Sequence, residues 1–305
     1  MTDEIGFIGL GNMGGRMTAR LVEKGRPVIG YDVRDRLAEE LGARPAASVA
    51  EVVETADIIL MSLPDSHVVE AVTGGADGLI EHTRAGQLVV DLSTASPDST
   101  RAIHDKLEAR GVAYLDAGIS GGAAAADKGT LTLMVGGEID ALERARPVLE
   151  GFSQGIFYCG ASGAGHTAKL LNNFLNAVSL AATAEVMVAG KKAGLNLETL
   201  LAVLNESSGV NFATLNRFPK IIHGDYLKGG LSNALMMKDV RLYTDLVAAL
   251  GVASPNASGP LASFGLALGL GYADEISNTV VDAIGDVSGG VRLYDAGTDT
   301  DKAES

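Results

Sequence analysis

The stretch that decides the fold lies at the start of the chain: Glu4-Ile-Gly-Phe-Ile-Gly-Leu-Gly-Asn-Met-Gly-Gly-Arg16. A short apolar strand runs into a turn with glycines at positions 9, 11 and 14, and the turn opens a helix. Glycines at this spacing permit a tight turn, a close approach of the backbone to a pyrophosphate, and close packing of the helix on the strand. Free N–H groups at the helix start attract phosphates. The stretch therefore predicts a dinucleotide-binding βαβ unit.

Asp32 follows the second strand of this unit. An acidic residue about 20 positions beyond the glycines binds the ribose hydroxyls of NAD, and its charge repels a 2′-phosphate. We predict NAD as cofactor, while Arg34 leaves the use of NADP open as well. The alternative is that Asp32 is an ordinary turn residue. The predicted cofactor-binding residues here are Gly9, Leu10, Gly11, Asn12, Met13, Gly14 and Asp32.

Composition sets the class of protein. The 305 residues are 47% hydrophobic and 20% charged, which is typical of a globular chain with room for two domains. Lys and Arg number 24 against 38 Asp and Glu, and the net charge of −14 argues against nucleic-acid and membrane-surface partners. The single Cys159 excludes an intramolecular disulfide and fits a reducing compartment. Residues 1–8 lack a signal-peptide pattern, so we expect a cytoplasmic protein. No cluster has metal-ligand spacing, and no metal is expected.

Strand and helix patterns alternate through residues 1–163. This alternation predicts an α/β Rossmann domain with a mostly parallel sheet covered by helices on both faces. The predicted strands are 5–8, 28–31, 57–63, 87–92, 112–115, 130–135 and 155–158.

The pattern changes after Gly165. Residues 164–194 predict one long interdomain helix, and 195–287 predict an all-helical domain. Residues 288–305 are rich in Gly, Asp and Thr, so we expect a disordered tail. The predicted helices of the second domain are 197–205, 212–217, 232–250, 255–268 and 275–284.

Polar groups recur where strands of the first domain end. Leu63 and Pro64 follow one strand, and Ser93 and Thr94 follow another. Ligands of an open α/β sheet lie outside the carboxyl ends of its strands, so we predict that these four residues bind the cofactor. Ser93 and Thr94 are placed to reach its nicotinamide half. The alternative is that Ser93, Thr94 and Ser96 only cap the following helix.

A glycine-rich segment follows the strand at 112–115. Ser120, Gly121 and Gly122 offer a hydroxyl and exposed backbone N–H groups, which suit an anion. Taken alone, the segment is better explained by close packing of small residues.

The most discriminating segment is Gly163-Ala-Gly-His-Thr-Ala-Lys-Leu-Leu-Asn-Asn173. Lys169 and Asn173 are four residues apart on one helical face, and Asn176 lies a turn further. The rest of this helix is apolar on nearly every side, which predicts burial. Buried Lys and Asn are costly unless hydrogen-bonded or functional, so this polar stripe is expected to line a cavity at the domain junction. A desolvated lysine can act as general acid or base. The alternative is that Lys169 reaches solvent from the first turn, and His166 is interpreted as a helix-start residue.

Taken together, four motifs resemble the β-hydroxyacid dehydrogenase family, of the 3-hydroxyisobutyrate dehydrogenase and tartronate semialdehyde reductase type. They are Phe7–Gly14, 116–131, 163–173 and Lys238-Asp239, and the resemblance spans the chain from Gly9 to about Leu250. Alone, Lys238-Asp239 is best explained as a solvated charge pair. Departures occur at Gly118 and Ile119, where the family usually has Pro and Val, and at Leu231, where it often has Phe.

The resemblance implies an oxidoreductase that transfers a hydride between NAD(H) and a short 3-hydroxy acid or its semialdehyde. Its second domain would be of the 6-phosphogluconate dehydrogenase type, and the protein would be a homodimer or homotetramer. Another small acid (a threonate-like sugar acid or a sulfonated aldehyde) and a non-catalytic NAD-binding regulatory protein are the alternatives. The implied roles are general acid/base for Lys169, substrate orientation for Asn173, carboxylate binding for Ser120, Gly121 and Gly122, and contact with substrate and cofactor for Lys238.

Overall fold

The computed structural model describes residues 4–75, 77–227 and 229–294. The chain divides into two compact units, Met1–Leu170 and Leu171–Ser305.

The first unit is built on one sheet of eight strands. In spatial order the strands run β3-β2-β1-β4-β5-β6-β7-β8. Neighbours are parallel except β6 and β7, which are antiparallel, so the predicted mostly parallel sheet is confirmed. The strands are β1 Ile5–Ile8, β2 Val28–Tyr31, β3 Arg44–Pro45, β4 Ile58–Met61, β5 Leu88–Asp91, β6 Ala113–Ser120, β7 Leu131–Gly136 and β8 Ser153–Gly160.

The strand order reverses beside β1, which lies between β2 and β4. In such sheets the ligand crevice opens at the carboxyl ends of the strands at the reversal. Side chains of the central strands are fully buried, as expected for a sheet covered on both faces.

Helices cover this sheet. Ser48 caps one of them by accepting a hydrogen bond from the Glu51 N–H group, 3.2 Å long. The helices are α1 Asn12–Glu23, α2 Leu37–Glu40, α3 Val49–Thr55, α4 Ser66–Thr73, α5 Leu79–His82, α6 Pro97–Glu108, α7 Gly122–Lys128 and α8 Ile139–Leu149.

The second unit is helical, as the sequence predicts. Its core contains Phe218, Met236 and Phe264, all fully buried. Single-turn 3₁₀ helices, Pro255–Ala257 and Ser277–Thr279, precede the last two helices. The helices from the end of the sheet onward are α9 Ala164–Lys192, α10 Leu197–Asn205, α11 Phe212–Asn216, α12 Phe218–Ile221, α13 Asn233–Ala249, α14 Ser258–Gly269 and α15 Val280–Val287.

The surface of α9 differs from the expectation of burial on nearly every side. Leu175 is 66% exposed, and Leu171 and Val186 are exposed as well. A 29-residue helix turns many faces outward, and the described residues do not cover all of them. Among the described residues, no helix is long and apolar enough to cross a membrane.

The segment after α15 also differs from expectation, because part of the expected disordered tail is packed. Leu293 is buried in the helical core, and Arg292 forms ion pairs with Asp282 and Asp286. The remainder of the expected tail, 295–305, lies outside the described residues.

Candidate active site

The glycine turn after β1 has the geometry that a dinucleotide needs. Gly9 has φ +87°, in the left-handed region. A Cβ at Gly14 would lie 1.9 Å from the Gly9 carbonyl oxygen, so only glycine fits there. Gly11 is the N-cap residue of α1, and no side chain caps that helix. The helix start therefore presents its N–H groups to a phosphate, and the residues fit the predicted cofactor.

Asp32 lies beside this turn and is held as a carboxylate. Its Oδ2 accepts a hydrogen bond from the Leu10 N–H group at 2.8 Å, and its Oδ1 pairs with Arg34 Nε at 3.0 Å. Burial by itself raises the pKa of Asp32, but the hydrogen bonds from Arg34 and Leu10 outweigh it and hold the pKa below its ordinary value. The Arg34 guanidinium also lies against Gly11. The positive charge that could accept the 2′-phosphate of NADP is therefore beside the turn.

The structure joins the ends of β4 and β5 through Ser93. This side chain is buried, and its Oγ accepts a hydrogen bond from the Leu63 N–H group at 2.9 Å. The Ser93 N–H group donates in turn to Asp91 Oδ1 at 3.0 Å. Ser93 therefore ties two strand ends together, and the alternative in which it caps α6 is wrong. Ser96 occupies the N-cap position but makes no side-chain cap hydrogen bond.

Pro64 and Thr94 are more accessible than Ser93. Pro64 is exposed and Thr94 is half-buried, and their contact with the cofactor stays a prediction.

The Ser-Gly-Gly segment lies where β6 ends and α7 begins. Ser120 is the last residue of the strand, and it is half-buried. Gly121 has φ +121° and Gly122 has φ +66°, and both glycines are exposed. A Cβ at Gly122 would meet nothing within 4 Å. Backbone conformation, not close packing, therefore requires glycine at 122.

A buried carboxylate fixes the start of α9. Asp116 Oδ1 accepts a hydrogen bond from the Gly163 N–H group at 2.7 Å, and Oδ2 accepts one from the His166 N–H group at 2.8 Å. A carboxylate is favourable at a helix N-terminus, where N–H groups lack intrahelical partners. His166 is itself buried with Nδ1 2.7 Å from Thr100 Oγ1, which agrees with its interpretation as a helix-start residue. The sequence did not assign this role to Asp116. An acidic residue inside an apolar strand was the feature that could have indicated it.

The first turn of α9 touches the sheet backbone. A Cβ at Gly165 would lie 2.4 Å from the carbonyl oxygens of Asp116 and Met134, which belong to β6 and β7. A Cβ at Gly118 would lie 2.5 Å from Cβ of Lys169. Lys169 is only 9% exposed, so the alternative in which it reaches solvent is wrong. The aliphatic part of the Lys169 side chain packs directly against the backbone at Gly118, where there is no side chain.

Asn173 follows one helical turn later and is also buried. Its Nδ2 donates a hydrogen bond to Asp239 Oδ2 at 2.5 Å. Asp239 is 1% exposed, and its other oxygen pairs with Lys238 Nζ at 3.1 Å. The interpretation of Lys238-Asp239 as a solvated pair is wrong, because α13 turns Asp239 toward α9. Asp239 therefore contacts two of the predicted site residues, Asn173 and Lys238, although the sequence indicated no such role for it.

Asn176 makes a contact that the sequence did not indicate. Its Oδ1 accepts a hydrogen bond from Arg217 Nη2 at 3.0 Å. The predicted polar stripe of α9 is thus joined to an arginine on the segment between α11 and α12.

One group of side chains in the described part of the chain meets the geometric criterion for metal ligands, although none was expected. Ligand atoms of His104, Asp105 and Glu108 lie within 4.8 Å of one another on α6. Two of the three residues are exposed, and none belongs to the predicted site.

A Rossmann unit with a dinucleotide cradle, followed by helices that carry buried Lys and Asn, defines a nicotinamide-dependent oxidoreductase. Residues 4–160 match the family model described as the NAD binding domain of 6-phosphogluconate dehydrogenase. Residues 163–276 match the model described as NAD-binding of NADP-dependent 3-hydroxyisobutyrate dehydrogenase. The chain belongs to the β-hydroxyacid dehydrogenase family.

Individual relatives agree with this assignment. The chain is 40% identical over 281 residues to an NAD-dependent L-serine dehydrogenase of Pseudomonas aeruginosa, covering 89% of this chain and 94% of the relative. It is 40% identical over 250 residues to the mitochondrial 3-hydroxyisobutyrate dehydrogenase of Mus musculus, covering 79% and 75%. A solved structure of Mycobacterium tuberculosis 3-hydroxyisobutyrate dehydrogenase with L-serine superposes with a TM-score of 0.84 at 35% identity, covering 93% and 99%. The protein is an NAD(P)-dependent dehydrogenase that acts on the hydroxyl group of a hydroxy acid.

Proposed function

We propose that the chain interconverts a short 3-hydroxy acid and its semialdehyde, with Lys169 as the general acid/base. The observation that carries the proposal is the burial of Lys169 one helical turn before Asn173. Relatives named for L-serine and 3-hydroxyisobutyrate support the substrate class, because both compounds bear a hydroxyl on the third carbon. A threonate-like sugar acid or a sulfonated aldehyde remains the alternative substrate.

Each residue of the site has a part in the proposed reaction. Bound NAD or NADP supplies the hydride acceptor for oxidation and the donor for reduction. Lys169 Nζ takes the proton of the substrate hydroxyl in oxidation and returns it in reduction. Asn173 orients the substrate, and its amide is held in place by Asp239. Ser120, Gly121 and Gly122 bind the carboxylate, and Lys238 contributes a nearby positive charge.

Asp32 supports a preference for NAD. Its carboxylate is charged and lies beside the glycine turn, where it suits ribose hydroxyls and repels a 2′-phosphate. Arg34, paired with Asp32, keeps some use of NADP in the proposal. A homodimer or homotetramer and a cytoplasmic location stay predictions.

The decisive experiment replaces the proposed acid/base. Lys169→Ala is expected to lower kcat about 10³-fold, because positioned proton transfer contributes about 10²–10⁴-fold. NAD affinity should stay the same, since Lys169 lies outside the glycine turn. Lys106→Ala, at an exposed position of α6, is the matched control and should keep full activity. Activity of Lys169→Ala within tenfold of the wild type would contradict the assignment.

The substrate is tested by steady-state kinetics with NAD and a panel of hydroxy acids. L-serine, 3-hydroxyisobutyrate and glycerate differ in the group on the second carbon, and threonate carries a further hydroxymethyl group on the third carbon. We expect the highest kcat/KM with an acid whose third carbon is a terminal CH2OH group, since only such an acid is oxidised to a semialdehyde. A clear preference for threonate would replace the proposed substrate class with the sugar-acid alternative.

A further inference from the structure

Arg217 is a half-buried arginine whose partners in the described part of the chain are all neutral. Its Nη1 donates a hydrogen bond to Asn278 Oδ1 at 2.8 Å, and Nη2 donates to Asn176 Oδ1 at 3.0 Å. The guanidinium carbon also lies 5.7 Å from the ring centre of Phe212. The described carboxylates include none that pairs with it.

Several other arginines of the chain have a carboxylate partner instead. Arg44 pairs with Glu4, Arg146 with Glu143, and Arg292 with Asp286. Burial lowers the pKa of Arg217 to about 10. A buried cation without a counter-ion costs free energy, and such a cost is offset when an anion binds beside it.

The guanidinium is held in a fixed orientation. Asn278 is buried, and its Nδ2 donates to the Tyr226 carbonyl oxygen at 2.9 Å, which turns its Oδ1 toward Arg217. The two amide contacts use two of the five N–H donors of an arginine. The remaining donors form part of a planar fork that matches a carboxylate.

Arg217 also lies near the residue proposed to orient the substrate. Its partner Asn176 follows Asn173 by three residues on α9, which is about 4.5 Å along the helix axis and on the same face. The carboxylate of Asp239 on this side is already bonded to Asn173 and paired with Lys238. Asp239 therefore does not neutralise Arg217, whereas a bound anion would.

We propose that Arg217 determines specificity by binding a second carboxylate of the substrate, so that the preferred substrate is a hydroxy diacid. The inference rests on the proposed function, in which Asn173 orients the substrate. Arg217 takes no part in the chemical step. It selects for a second negative charge on the substrate.

The test compares a diacid with a monoacid. We expect the wild type to oxidise 2-(hydroxymethyl)glutarate with a higher kcat/KM than 3-hydroxyisobutyrate. Arg217→Met should lower kcat/KM for the diacid about 10- to 100-fold, mainly through KM, as expected for a lost charged hydrogen bond in binding. Its kcat/KM for the monoacid should change less than about twofold. Arg217→Lys keeps the charge without the fork and should fall between the two.

Arg241→Met is the matched control, because Arg241 is an exposed arginine of the same unit. Equal losses on both acids would overturn the inference, since they indicate that Arg217 binds the first carboxylate or supports the fold. An unchanged diacid preference in Arg217→Met would overturn it as well.

A binding measurement separates this inference from the proposed function. Calorimetric titration of the NADH-loaded enzyme with glutarate and with butyrate should show tighter binding of glutarate, and Arg217→Met should abolish the difference. If the wild type oxidises neither hydroxy acid, the proposed function fails, yet glutarate binding still decides the role of Arg217. Equal affinity of the wild type for glutarate and butyrate overturns the inference.

Discussion

Buried polar side chains are satisfied differently in the two units of this protein. In the sheet unit, Asp32, Ser93 and Asp116 each accept hydrogen bonds from backbone N–H groups of turns or of a helix start. In the helical unit, the Asn173 amide bonds to the Asp239 carboxylate, and Arg217 bonds to side-chain amides. Both units carry predicted site residues.

Backbone geometry explains the difference. Turns after parallel strands contain backbone N–H groups that have no partner in the sheet, so a nearby carboxylate or hydroxyl accepts their hydrogen bonds. Inside a helix the backbone groups bond to one another, so the side chains of Asn173 and Arg217 bond to other side chains. Substitutions in the sheet unit should therefore act on loops and stability, and those in the helical unit on side-chain orientation.

The largest effect is expected when the carboxylate that accepts hydrogen bonds from the backbone at the start of α9 is removed. Asp116→Ala leaves the buried N–H groups of Gly163 and His166 without an acceptor, which costs about 3 kcal/mol in total. Urea unfolding should show the loss as a lower midpoint. Asp98→Ala, at an exposed position of α6, should change stability by less than about 0.5 kcal/mol. A similar small change in Asp116→Ala would mean that the helix start is satisfied in another way.

A smaller effect is expected at the cofactor turn. Asp32→Ala should weaken NAD binding by about 2 kcal/mol, as for a lost charged hydrogen bond, and NADP binding by less. Fluorescence titration of both cofactors measures the two losses. Asp35→Ala, three positions further and exposed, should leave both affinities unchanged. Equal losses for NAD and NADP would remove Asp32 from the ribose.

The same variant carries a pH expectation. Because the folded-state pKa of Asp32 lies below its ordinary value of 3.8, its carboxylate stabilises the fold above that pH. This stability is lost only as the pH falls through the lowered pKa. The difference in unfolding free energy between wild type and Asp32→Ala should therefore be constant from about pH 6 to pH 8.

The smallest effect is expected in the helical unit, at the hydrogen bond between the side chains of Asn173 and Asp239. Asp239→Asn keeps an acceptor oxygen for Asn173 and removes the charge that pairs with Lys238. We expect kcat to fall about tenfold, or about 1.4 kcal/mol, with little change in melting temperature. Asp245→Asn, exposed on the same helix, is the control and should keep wild-type kcat. A large drop in melting temperature without a change in kcat would assign Asp239 to the fold alone.

Elements with a strong local pattern could be predicted from the sequence. The strands Ile5–Ile8 and Val28–Tyr31 and the helix Leu197–Asn205 have the bounds that the pattern indicated. Pairing partners were not visible. The strand expected at 112–115 continues to Ser120, because its second half pairs with the antiparallel strand Leu131–Gly136. The two-residue strand Arg44–Pro45 is too short to show a period.

The site divides in the same way. Glycine spacing and the Lys-x-x-x-Asn spacing are local, so Gly9–Gly14, Lys169 and Asn173 could be named from the sequence. Asp116, Asp239 and Arg217 act through partners more than 40 positions away in sequence. Their burial and their partners depend on tertiary packing, which cannot be predicted from the spacing of neighbouring residues.

The missing side chain at Gly118 limits how relatives can serve as templates. A side chain at this position would place its Cβ 2.5 Å from Cβ of Lys169. The first turn of α9 would then have to run further from the sheet, with the lysine displaced along with it. A template with a larger residue at this position would therefore misplace the Lys169 amine of this enzyme.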